Sequence, residues 1–173
     1  MKCLSIVVSA ALLLPTVGFC ADQPTAEETV AFILYGIENG SYVDVGSTSL
    51  GTYKSGIVSQ TSSAPAEYSF PAGMGEYSSI SVKQTDPCVF SVISRDKAGQ
   101  NESRSYDFNH FATLVFTSRG DGRIGFSGEC PIVREDGNCG KNGTVKVDNI
   151  IFADRLEKAV DFLKQTYCPG APF

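Results

Sequence analysis

Two stripes of apolar residues with helical spacing stand near the ends of this chain, and what lies between them reads as strand and turn. The first stripe lies in Thr25 to Glu38, where Val30, Ile33, Leu34 and Ile37 share one face. Thr25 and Glu28 have the spacing of a capping box, in which two free backbone N–H groups are satisfied reciprocally. Asn39-Gly40 supplies a glycine suited to the left-handed turn that closes a helix. The second stripe runs from about Asp154 to Tyr167, with Leu156, Ala159, Val160, Leu163 and Tyr167 on one face. Asp154 stands one turn ahead of Lys158, the favoured order for such a pair, and Cys168-Pro169-Gly170 ends the helix. Each stripe must be buried, and the open face of a sheet is the natural place.

The segment between supplies that sheet. Ser41 to Gly75 is rich in Ser, Thr, Gly and Ala and alternates weakly at Tyr42-Val43-Asp44-Val45. It reads as one or two edge strands and a flexible loop around Ser59 to Pro65. From Tyr77 the alternation strengthens. Ile80 and Val82 lead to a turn at Gln84-Thr85-Asp86-Pro87, and Cys88 to Ile93 returns as a more buried strand. Asp96 to Asn101 is a polar turn, Arg104 to Phe108 a short strand, and Thr144 to Val147 another. Ala112 to Thr117 and Arg123 to Ser127 flank Arg119-Gly120-Asp121-Gly122, a hairpin signal. The expected fold is α+β: an antiparallel β-meander of five or more strands with an N-terminal and a C-terminal helix.

Residues 1–21 have the layout of a secretory signal peptide. Lys2 gives a positive start, Leu4 to Leu14 an apolar run too short to span a bilayer, and Pro15 and Gly18 a break. Residues 22–173 then form a single domain, large enough for a real core. Cys20 stands where lipidation would need it, but Phe19 precedes it where a small residue is wanted. Export gives the remaining cysteines a meaning. Cys88, Cys130, Cys139 and Cys168 are even in number, and in an oxidising compartment they read as two disulfides. Four cysteines allow three pairings. The favoured one is Cys130–Cys139, closing a loop of turn formers, with Cys88–Cys168, tying a mid-chain strand to the end of the last helix. A metal site is the rival, but no cysteines stand two to four residues apart and His110 is the single histidine.

The opening Thr25-Ala26-Glu27-Glu28-Thr29-Val30, the strand at Asp86-Pro87-Cys88 and the ending from Asp154 to Gly170 together resemble small exported bacterial proteins of unassigned function. That resemblance brings no catalytic residues. A meander closed by one helix also resembles a pleckstrin-homology-type arrangement, an analogy of topology that carries no ligand.

Sought chemistry is sparse. Gly125-Phe126-Ser127-Gly128-Glu129 lacks the second glycine of a nucleophile elbow at its required place. A hydrolase would have to use Ser127, or acidic residues, with His110. Glu135-Asp136-Gly137-Asn138 reads as a polar turn in a disulfide loop rather than a calcium loop. No phosphate-binding glycine loop is present. Loss of Lys2 with the leader takes the formal charge from −5 to −6, and without a basic cluster nucleic acid is a poor partner. No later stretch is long and apolar enough for an integral membrane segment. Tyr42, Tyr53, Tyr68, Phe70 and Tyr77 form a binding surface if they are exposed, or cover one end of the sheet if they are not. The expectation is an exported, non-enzymatic binding module for a protein or small ligand, with no catalytic residue, metal or cofactor assigned.

Overall fold

A computed structural model describes residues 23–45, 54–71, 77–117, 123–146 and 153–173. The leader, Tyr53, the turn at Arg119 to Gly122 and Val147 lie outside the described residues. Helix α1 (Ala26–Tyr35) is followed by a two-stranded ribbon, β1 (Tyr42–Val45) with β2 (Lys54–Ile57). Strands β3 (Ser59–Ser63), β4 (Ala66–Ser69), β5 (Tyr77–Asp86), β6 (Val89–Asp96) and β7 (Asn101–Asp107) come next, then a short 3₁₀ turn at Phe108–His110. Strands β8 (Phe111–Thr117), β9 (Arg123–Arg134) and β10 (Cys139–Lys146) precede helix α2 (Ala153–Thr166). One antiparallel sheet runs β10-β9-β7-β6-β5-β4-β3, with β8 also on β9. The α+β class, the meander and the helix near each end are therefore as the sequence led us to expect.

The capping box forms as read. Glu28 N–H donates to Thr25 Oγ1 at 3.1 Å, and Thr25 N–H to Glu28 Oε2 at 2.7 Å. The helix stops earlier than Glu38, however. Gly36, at φ 68°, takes the left-handed position and donates to the Phe32 carbonyl at 2.8 Å. Asn39-Gly40 belongs instead to the next turn, where Gly40 N–H donates to Val58 O. Ile37 lies past the helix and is still fully buried.

Ser59 to Pro65 is not a loop. It is strand β3 and its turn into β4, with Ser59 opposite Ser69 and Ser63 opposite Ala66. The polar composition misleads because β3 lies at the end of the strand order, where side chains meet its free backbone. Asn39 Oδ1 accepts from Gln60 N–H at 3.2 Å, and Thr25 Oγ1 donates to Ser63 O at 2.8 Å.

Strands β7 and β8 form one line on the same side of β9, broken by the 3₁₀ turn. Tyr106 pairs with Ile132 before the break and Phe111 with Gly128 after it. His110 lies in this turn. A Cβ on Gly128 would overlap the His110 carbonyl oxygen, so only glycine lets the turn approach β9.

α1 is the centre of the core. Thr29, Val30, Ala31, Ile33, Leu34 and Tyr35 are all buried, which takes two faces of the helix. One face meets β4 and β5, and the helix also reaches β10. The other meets α2. This corrects the expectation for α2, whose main neighbour is α1 rather than the open sheet. Leu156 and Leu163 are buried as the spacing requires, while Val160 is half-buried. Lys164, which stands off the apolar stripe, is half-buried too. Its Nζ donates to Phe173 O at 2.5 Å and lies 5.8 Å from the Phe173 ring. That ring seals an aromatic cluster with Phe108 and Phe111, at 5.5 and 6.5 Å between centroids.

Both expected disulfides are present, with Cα separations of 5.3 Å for Cys88–Cys168 and 5.2 Å for Cys130–Cys139. The first spans 80 residues and the second 9. On chain entropy they contribute about 4–5 and about 2.5–3 kcal/mol. The long bridge, from the β5–β6 turn to the end of α2, is the stronger constraint.

Two comparisons test this packing. Leu163→Ala should lower stability by about 2–5 kcal/mol in urea melts, because the side chain is fully enclosed. Lys158→Ala, at an 80 % exposed side chain, should stay within about 0.5 kcal/mol. Gly128→Ala should cost about 1–3 kcal/mol or more. Gly125→Ala, whose Cβ would meet Val115 O at an ordinary 3.6 Å, should be far milder. Equal midpoints within either pair would contradict the packing described.

Candidate ligand-binding groove

Where α2 crosses α1 beside the β3–β4 hairpin, a groove of about 520 Å³ is left open. α1 contributes Glu28, Thr29 and Phe32, and the turn after it Glu38 and Asn39. Gln60 comes from β3 and Tyr68 from β4. Arg155, Lys158, Ala159 and Phe162 come from α2, and Pro24 closes one end. The groove therefore exists only when all three elements are in place.

Its polar groups are largely tied down. Glu28 accepts from Thr25 N–H through Oε2 and from Gln60 Nε2 through Oε1, the latter at 2.5 Å. Gln60 Nε2 also donates to Ser62 O at 3.0 Å. Arg155 Nη2 donates to both oxygens of Glu38 at 3.0 Å, and its guanidinium carbon lies 4.9 Å over the Phe32 ring. Both partners of this ion pair are half exposed, so it contributes about 0–1 kcal/mol. Tyr68 differs from these groups. The residue is 2 % exposed and lies in the field of the Glu28 and Glu38 carboxylates. Burial first, then the charges of Glu28 and Glu38, pushes its ionisation far above the ordinary 10.0. It is a neutral hydroxyl at any physiological pH.

The aromatic residues that would form a binding surface if exposed, or cover the sheet if not, are placed differently from one another where they are described. Tyr42 is 62 % exposed on the ribbon, opposite the exposed Ile57. Tyr53 is outside the described residues. Tyr68 and Phe70 are buried in the core, and half-buried Tyr77 meets Tyr35 edge-on at 5.9 Å. Of the five, Tyr68 lines the groove. The other groove residues were not foreseen, although a signal existed. Phe32 and Phe162 are aromatic residues standing off the buried stripes of their own helices.

Ser127 and His110 are not joined by a hydrogen bond among the described residues. Ser127 Oγ shares a 2.7 Å hydrogen bond with Thr113 Oγ1. His110 Nδ1 lies 3.5 Å from Asp107 Oδ2, with its side chain 55 % exposed. Neither residue lines the groove. Asp136 accepts from Asn138 through both carboxylate oxygens, which fixes the polar turn of the disulfide loop and holds its ionisation low. No group of three metal-ligating side chains is found among the described residues, and no described helix is long and apolar enough to cross a membrane. Compared with protein families, with curated proteins and with solved structures, the chain finds no match.

Tyrosine burial sets the alkaline limit of the fold. Tyr35 is pushed well up, by burial first and then by the nearby Tyr106 and Tyr77. Tyr106 is raised by burial against the opposing charge of Arg104. Its enclosed hydroxyl makes no hydrogen bond of good geometry, with the Tyr35 hydroxyl and Arg104 facing it. These raised values make the unfolded chain lose protons first, from its ordinary value of 10.0 upward. Stability should hold below about pH 10 and fall progressively above it. Urea melts against pH, read with tyrosinate absorbance, check this. Full titration of all seven tyrosines while the chain stays folded would contradict it.

Proposed function

We propose that this chain is an exported, non-enzymatic binding module that takes a small ligand in the groove between α1, α2 and the β3–β4 hairpin. One observation carries the reading: the groove brings the aromatic Phe32 and Phe162 together with the Glu28 and Glu38 carboxylates and the nearly enclosed Tyr68, from three separate elements. Orientation in ligand sites comes from a few such placed polar groups among apolar surface. The groove's carboxylates are held by a helix cap and by Arg155, as suits a pre-formed site rather than one that moves protons. Two bridged cysteine pairs and the signal-like residues 1–21 support export, periplasmic or extracellular.

Residues 22–173, oxidised and ¹⁵N-labelled, can be titrated with a pool of small fragments. The expected amide shifts concentrate on Phe32, Gln60, Tyr68, Arg155 and Phe162. Shifts confined to other surfaces, or none, would remove the groove as the site.

A further inference from the structure

We propose that the groove takes an organic cation, an amine or quaternary ammonium on an apolar body, with its charge beside Glu28 and Glu38 and its body against Phe32 and Phe162. This deepens the binding reading above and rests on it. Cations are held by carboxylates together with aromatic faces, and the groove offers both from separate elements.

The structure carries a demonstration of this recognition. Arg155 already sits as a cation over the Phe32 ring, at 4.9 Å, with its charge on Glu38. That pair is half exposed, so the arginine can swing away and leave a ready carboxylate and ring face. Glu28 uses each oxygen once, for Thr25 N–H and for Gln60, and each retains a second lone pair. The Tyr68 hydroxyl stands in the field of both carboxylates, so its oxygen suits an N–H donor. The acidic chain, at formal charge −5, draws cations rather than anions toward it.

An anion is the competing ligand, and the groove disfavours it. Arg155 is engaged by Glu38, and Lys158 is 80 % exposed with Asp154 3.9 Å away. An anion drawn to Arg155 would meet Glu38, 3.0 Å from its guanidinium, and would share the groove with Glu28.

The test uses three probes of similar shape on oxidised residues 22–173: benzyltrimethylammonium, benzyl alcohol and benzoate. Benzyltrimethylammonium should shift the groove amides saturably, and the other two should bind about fivefold or more weaker. Phe162→Ala and Glu38→Gln should each weaken it about 2- to 30-fold. Tyr68→Phe should weaken benzylammonium, which has N–H donors, more than benzyltrimethylammonium, which has none. Thermal melts and unshifted amides of the sheet confirm that each variant is folded. Benzoate binding tightest in the groove would overturn the cation and leave the groove as a site. Groove shifts from none of the three probes would overturn the cation. If the fragment pool also leaves the groove untouched, the binding reading falls with it.

Discussion

The structure depends on one helix being buried from two sides. α1 has little polar surface outside its first turn, where Glu27 and Glu28 lie, so a sheet alone cannot cover it. β4 and β5 take one face, and α2 takes another. α2 brings only a narrow stripe, centred on Leu156 and Leu163, and its outer face is charged. Helices of this length are marginal on their own and are held by tertiary packing. Here the Cys88–Cys168 bridge adds a covalent tie at the C-terminal end of α2, and Tyr167 donates to the Pro24 carbonyl at 2.7 Å on the side of α1. The tie is seated in a tight turn. Pro87 and Cys88 form the two-residue connection between β5 and β6, with Cys88 at φ 62°. A non-glycine residue seldom takes that conformation, so the bridge fixes a turn position that its own backbone disfavours.

The groove follows from the same arrangement. It is the space left where a narrow helix stripe meets a broader one, walled by Phe32, Arg155, Lys158 and Phe162 from outside the stripes together with Thr29 and Ala159. Phe32 is partly buried against the core, Phe162 lies outside it, and both line the groove. Glu28 serves two ends at once, closing the cap of α1 and fixing Gln60 at the edge of the sheet. A change in the seating of α2 would therefore reshape the groove without touching the sheet.

Much of the fold was legible because its signals are local and periodic. The capping box at Thr25, the stripe of Val30, Ile33 and Leu34, and the alternation around Ile80 and Val82 each specify an element within a few residues. The number of disulfides was legible through parity, while their pairing, one of three, was favoured because residues 130 to 139 form a short loop of turn formers. What escaped depended on tertiary partners. Gly36, not Gly40, ends α1, and Ile37, read as part of the helix stripe, is buried just beyond it. β3 looked like a loop because its edge is satisfied by Asn39 and Thr25, far away in sequence. The destination of α2 could not be read from its own stripe, since a stripe states that it is buried and not against what. The groove needed all three, and Tyr68 is the one of its residues that was read beforehand as a binding candidate.

The central claim is that the Cys88–Cys168 bridge holds α2 on α1 and so keeps the groove. Hydrogen exchange on a Cys88→Ser, Cys168→Ser double variant tests it most directly, with Cys130→Ser, Cys139→Ser as the matched control. The account predicts that amides of residues 156–167 lose protection in the first variant, while β5, β6 and β7 keep theirs. In the control, α2 should remain protected. Unchanged protection of α2 without the long bridge, or equal loss in both variants, would contradict the account.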